Sequence, residues 1–186
     1  MYERWAIDNP DGGFTGSSYK AAIIGSTKSG KTCFRMCLMG QSMPQEYHTT
    51  AGFDIREAQI ADIYLGLWEL TDKEYDKNKS YIKYCCLYFV VFDMTDRFSF
   101  EQVPVWIERC NEAADTKWPN HKVLVAMKRD LADCRKVSAD EAEALALQHD
   151  MFYMEFSAAS DVKATIDAKI MEVLTKLDAE VAHIDQ

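Results

Sequence analysis

The sequence predicts an α/β domain: a mostly parallel six-stranded sheet with helices on both faces. Three observations carry that prediction. Short runs rich in β-branched and aromatic residues alternate with stretches of helical periodicity. A glycine-rich loop joins the first such run to the first helical stretch. The chain has 186 residues, 48% hydrophobic and 27% charged, which is the size and make-up of one globular domain that buries roughly 70% of its unfolded surface.

Taken in order, residues 1–18 are polar and turn-rich, through Asn9-Pro10-Asp11-Gly12-Gly13 and Gly16-Ser17-Ser18, and are expected to form a loose extension. The ordered domain is placed at 19–180, with a short tail at 181–186. Lys20 to Ile24 reads as the first strand, and a helix follows Lys31. Phe53 to Ala61 and Asp62 to Leu70 are adjacent strands. Cys85 to Phe92 is a dense apolar run, too short for a membrane and full of strand formers. A helix is expected from Ser99 to Ala114, then a strand at Lys122 to Ala126. Ser138 with Glu141 has capping-box spacing and opens another helix. Phe152 to Phe156 is the last strand. The final helix carries Ile166, Ile170, Val173, Leu177 and Val181 at the spacing of one buried face. Alternating strands and helices imply parallel pairing, with ligands bound beyond the carboxyl ends of the strands.

Charge narrows the function classes. With 30 acidic against 21 basic residues the net charge is -9, which argues against nucleic acid and against docking on an anionic membrane. The six cysteines accompany a ready hydrophobic core and no secretory signal, so reduced thiols are expected. The start MYERWAIDNPDGG has no signal core or myristoylation glycine, and the end VAHIDQ has no prenylatable cysteine. The expectation is a cytoplasmic protein without a direct lipid anchor, brought to any membrane only by partners.

The motif that carries chemistry is Gly25-Ser26-Thr27-Lys28-Ser29-Gly30-Lys31-Thr32, a complete G-x-x-x-x-G-K-[ST] phosphate loop between strand and helix. Its glycines let successive N–H groups turn toward a phosphate at a helix N-terminus. Lys31 would bridge the β- and γ-phosphates, and the Thr32 hydroxyl would coordinate Mg²⁺. Cys33 follows within reach of the phosphates.

From Tyr19 to Leu177 the chain resembles a small Ras-like GTPase, closest to the Rab branch, and so a P-loop NTPase of the Ras-like G-domain type. Gln45-Glu46-Tyr47-His48-Thr49-Thr50-Ala51-Gly52-Phe53-Asp54 is similar to the Rab switch I segment, and Thr50 takes the place of the threonine that contacts metal and γ-phosphate. Leu67-Trp68-Glu69 stands where the family has tryptophan and the Walker B aspartate, so Glu69 would reach the metal through water. Lys128-Arg129-Asp130-Leu131 matches the K-x-D-L guanine loop, and Glu155-Phe156-Ser157-Ala158-Ala159 resembles the E-x-S-A-K loop that closes over the base. Phe92-Asp93, Ser99-Phe100-Glu101 and Arg135-Lys136-Val137-Ser138 follow the same framework. The resemblance implies GTP and GDP with Mg²⁺ as ligands. Asp130 would accept the guanine N1–H and N2–H₂, which adenine cannot offer together. Lys128 would lay its stem across the base and tie to the phosphate loop.

The departures bear on activity. Glu69 is one methylene longer than aspartate. The D-x-x-G-Q segment reads Glu69-Leu70-Thr71-Asp72-Lys73, so an aspartate replaces the phosphate-sensing glycine and Lys73 stands at the usual glutamine position, and no residue is assigned as catalytic. Thr27 and Lys28 occupy positions where Ras has glycines, Met43 stands for an aromatic beside the base, Met127 for the guanine-loop asparagine, and Ala159 for the last lysine. Very slow or absent hydrolysis is expected. Two readings follow: a guanine-nucleotide switch in intracellular vesicle trafficking, and a pseudo-GTPase serving as an interaction module without a nucleotide cycle. A protein effector or scaffold would meet the switch I and switch II surface, where Tyr47, His48, Phe53, Ile55, Trp68 and Tyr75 would suit a partner's hot spot; for Phe53, Ile55 and Trp68 the alternative is ordinary strand packing.

Overall fold

The computed structural model describes residues 17–42, 53–114 and 120–184. In chain order these form β1 (Ser17–Ile24), α1 (Lys31–Leu38), β2 (Phe53–Ile60), β3 (Ile63–Leu70), α2 (Tyr75–Asn78), β4 (Leu87–Asp93), α3 (Arg97–Glu101), α4 (Val103–Ala113), β5 (His121–Met127), α5 (Ala139–Gln148), β6 (Phe152–Glu155) and α6 (Lys163–Ile184). Among the described residues six strands make one sheet, in the order β2-β3-β1-β4-β5-β6. Every pairing is parallel except β2 with β3. That exception is a tight hairpin: Ile60 pairs with Ile63, and Ala61 takes a φ of 51° in the two-residue turn.

Strand alternation sorts the core onto two faces. On β4, Tyr88, Val90 and Phe92 join Ala22, Ile24, Leu124 and Ala126 beneath Val103, Trp106 and Ile107 of α4 and Ala142 and Ala146 of α5. The alternate residues Leu87, Phe89 and Val91 join Ala21, Ile23, Val123 and Val125 beneath Phe34 and Leu38 of α1 and Ile166, Ile170, Val173 and Leu174 of α6. All of β4 is buried, which explains why its sequence is a continuous apolar run rather than an alternating one.

Three boundaries differ from expectation. β1 starts at Ser17 rather than Lys20, because Ser17 and Ser18 extend the ladder opposite Ile63 and Tyr64. The helix expected from Ser99 to Ala114 is two helices broken at Gln102. Pro104 has no N–H for the Phe100 carbonyl, and the ladder resumes with Trp106 N–H on Gln102 O at 3.2 Å. α6 runs on to Ile184 through the segment read as a tail. Ser138 caps α5 as its spacing predicted, accepting from Glu141 N–H at 3.1 Å. No helix among the described residues is long and apolar enough to cross a membrane.

Candidate functional site at the carboxyl edge of the sheet

The loop from Gly25 to Gly30 turns the chain from the buried end of β1 into α1. Gly25 has a φ of +142°, and a Cβ there would sit 2.2 Å from the Val91 carbonyl oxygen of β4. Only glycine lets the loop pass that strand. Lys28 is left-handed at φ 67°, Gly30 at φ 101° caps α1, and Phe34 N–H bonds Gly30 O at 2.8 Å as the first helical bond. Thr27 and Lys28 are exposed, whereas the hydroxyl of Ser29 is buried with no hydrogen-bond partner among the described residues.

Lys31 lies folded under this loop, its ammonium donating to Gly25 O at 2.8 Å and Ser26 O at 2.9 Å. Burial pushes its pKa down to about 8, against the smaller opposing pull of Glu69 and Asp72. Thr32 donates its hydroxyl to Glu69 Oε1 at 2.5 Å. A hydroxyl oxygen can accept a cation while it donates its proton, so Thr32 fits the role of a metal ligand. Glu69 fits less well: its other oxygen, Oε2, is held at 2.8 Å by Arg35 Nε.

Across the edge, the loop after β5 meets the loop after β6. Asp130 Oδ1 accepts from Ser157 Oγ at 2.6 Å, and Ser157 Oγ in turn accepts from the N–H groups of Ala159 and Ser160. Asp161 takes Ser157 N–H at 2.7 Å and pairs with Arg129. Asp130 and Leu131 stay exposed, as a base-facing pair would. Lys128, left-handed at φ 68°, sets its ammonium on Asp93 at the end of β4. The expected tie of Lys128 to the phosphate loop is thus replaced by an ion pair to the neighbouring strand. Met127 is buried, and a Cβ on Gly30 would meet its Cγ at 3.1 Å. An apolar contact stands where the family's asparagine would link the two loops. Arg135 grips Glu155 with two bonds of 2.9 and 2.7 Å, which fixes the base of the last loop.

The segment after β3 is anchored sideways. Asp72 pairs with Arg109 of α4 at 2.8 Å, and Lys73 is exposed. The Arg109 guanidinium lies 4.5 Å above the Trp106 ring and 4.9 Å above that of Tyr75, whose hydroxyl donates to Arg109 O. Trp106 also donates to Ser26 Oγ at 3.3 Å, so α4 touches both the phosphate loop and the post-β3 segment. Tyr75 is therefore buried rather than presented to a partner. Trp68 is half-buried under the Lys20 ammonium, whereas Phe53 and Ile55 are exposed and Phe53 stacks on Tyr81 at 5.2 Å. Met43, Tyr47, His48 and Thr50 lie outside the described residues.

Sequence reasoning did not single out Arg35, Trp106, Arg109, Arg129 or Asp161. Only Arg35 left a readable trace: a charge three residues after Thr32, on the face of α1 that otherwise carries apolar residues.

A phosphate loop at the carboxyl edge of this sheet order, with a Lys-x-Asp loop two strands away across β4, defines a Ras-like G domain. Comparison with known proteins agrees, since residues 20–179 match the Ras family. The chain belongs to that family. It is 28% identical over 171 residues to Ras-related protein Rab-8A of Pongo abelii, covering 82% of each chain. It is 31% identical over 150 residues to Ras-related protein Rab-13 of Rattus norvegicus, covering 77% of this chain and 73% of the relative. Ras-related protein Rab-1 of Theileria parva is 28% identical over 150 residues, with coverage of 77% and 67%. These similarities make the chain a divergent Rab-like small GTPase.

Proposed function

We propose that this protein binds GTP and GDP at the carboxyl edge of its sheet, hydrolyses GTP very slowly or not at all, and works as a regulatory switch that engages a protein effector in intracellular trafficking. The observation that carries this reading is the convergence of two loops of different chemistry. One offers Lys31, Thr32 and a curled backbone for phosphates; the other offers Asp130, oriented by the buried Ser157, for a guanine edge. Ser26 to Cys33 would surround the phosphates, while Lys128, Leu131, Ala158 and Ala159 would flank the base. Thr32 would hold Mg²⁺, with Thr50 of switch I as its partner ligand. The fixed side chain of Asp72 adds negative charge near the phosphates, and Lys73 can neither accept a proton from water nor orient it as an amide does.

The anchoring of Asp72 and Tyr75 on α4 also favours a second reading, a pseudo-GTPase whose post-β3 segment keeps one position whatever nucleotide is bound. Chromatography of nucleotide released from denatured protein, with uptake of a fluorescent guanine nucleotide, tests the first reading. GTP or GDP in preference to ATP is expected, and absence of both content and uptake refutes it. Single-turnover hydrolysis tests the chemistry: Lys73→Gln alone is expected to restore little activity, because Asp72 and Glu69 remain. Amide exchange of residues 71–75 that is identical with GDP and GTP selects the second reading over the first.

A further inference from the structure

Arg35 is a charge in an apolar setting. It lies on α1 one turn after Thr32, beside the buried Phe34, Cys37 and Leu38, and its side chain is only 8% exposed. A guanidinium is always charged and is expensive to bury unless its donors are matched. Here they are matched: Nε donates to Glu69 Oε2 at 2.8 Å and a terminal nitrogen reaches Asp54 Oδ2 at 3.1 Å. Glu69 is fully buried and gives its remaining oxygen to the Thr32 hydroxyl at 2.5 Å. The carboxylate that faces the metal position is therefore already joined to a resident cation and to the hydroxyl that would bind the metal. Asp54 pairs with both Arg35 and Arg56, and Glu69 with Arg35, before any divalent ion arrives.

A small hard cation such as Mg²⁺ gives up or orients its waters only against oxygens with charge to spare. Glu69 has one oxygen on the Arg35 guanidinium and the other on the Thr32 hydroxyl, and the charged bond draws on the charge it could offer a metal. We propose that Arg35 is a built-in cation of the metal site, so that guanine nucleotide is retained with little help from a divalent ion. The inference rests on the nucleotide-binding reading above and deepens it: the protein keeps its nucleotide when the metal is withdrawn.

The test measures release of a fluorescent GDP analogue from the intact protein, chased by excess GDP, in millimolar Mg²⁺ and in excess EDTA. Coupled sites commonly influence each other by about 5–150-fold. Release accelerated by less than about fivefold in EDTA is expected; a larger acceleration in the unaltered protein overturns the inference while leaving nucleotide binding intact. Failure to hold the analogue under either condition overturns both. Arg35→Met is expected to bring metal dependence above that threshold, because Glu69 is left without its cation. Where that variant does not fold, Arg35→Met combined with Asp54→Asn removes one charge of each sign and asks the same question. EDTA release unchanged from the unaltered protein in either folded variant also overturns the inference.

Discussion

The buried ammonium of Lys31 makes nucleotide affinity and protein stability move in opposite directions with pH. In the nucleotide-free protein its pKa is pushed down from 10.5 to about 8 by burial. A phosphate needs the charged form, so binding above pH 8 must be accompanied by proton uptake. At pH 7 about nine-tenths of the lysine is charged and at pH 9 about one-tenth, so affinity should fall about tenfold, or roughly 1.4 kcal/mol, across that interval. The stability sign is the reverse. The unfolded chain keeps the proton up to pH 10.5, whereas the folded protein releases it near pH 8, so between these values the unfolded state binds more protons and stability rises with pH. The separation between the two values amounts to roughly 3 kcal/mol, absent below pH 8 and fully gained above 10.5. Buried thiols pull the other way, since Cys37 and Cys110 are pushed up to about 11 and 12 by burial. The difference between the unaltered protein and Lys31→Met cancels them. The assays are equilibrium binding of a fluorescent GDP analogue from pH 7 to 9 at constant ionic strength, and urea unfolding of both proteins over pH 7 to 10. A flat affinity profile, or a stability difference that does not change with pH, refutes the placement of a neutralisable lysine under the loop.

Gly25→Ala should be among the most damaging single changes. Left-handed strain costs about 1–3 kcal/mol and displacing the Val91 carbonyl costs a similar amount, so a melting temperature lower by roughly 4–24 °C is expected for a domain of this size; calorimetry checks it, and a shift under about 2 °C contradicts the 2.2 Å approach. Ser157→Ala removes the hydroxyl that orients Asp130 and caps two N–H groups, and should weaken GDP binding about tenfold while leaving the weaker ADP binding unchanged; competition titration reads both. Arg109→Ala should destabilise the protein by about 1–2 kcal/mol, mostly through the lost ring contacts rather than the half-exposed pair with Asp72. Hydrogen exchange of residues 71–75 should quicken in that variant and not elsewhere in the sheet.

Much of this molecule was legible in one dimension. Periodicity placed the six strands, because a strand buried on both faces such as Leu87–Asp93 has to be apolar throughout. The Gly25 to Thr32 motif is local, since a loop that must curl within eight residues needs glycines at set positions. The Lys128 and Asp130 pair was readable for the same reason. The split of one expected helix at Gln102 was readable too, had Pro104 been given its full weight against the helix.

Other features depend on side chains far apart in sequence. Arg35 meets Glu69 and Asp54 only after α1 packs beside the β2–β3 hairpin. Arg109 finds Asp72, and Trp106 finds Ser26, across 37 and 80 residues. Lys128 goes to Asp93 because β4 and β5 are neighbours in parallel register. The sequence by itself determined the class of fold, the Gly25 to Thr32 motif and the Lys128-x-Asp130 motif, because each is written in contiguous residues with short-range geometric demands. The tertiary structure alone decided the electrostatics of the site, meaning which carboxylate is neutralised, which lysine is buried and which loop is anchored. Charge pairing and burial are properties of neighbours in space, and no spacing along the chain encodes them.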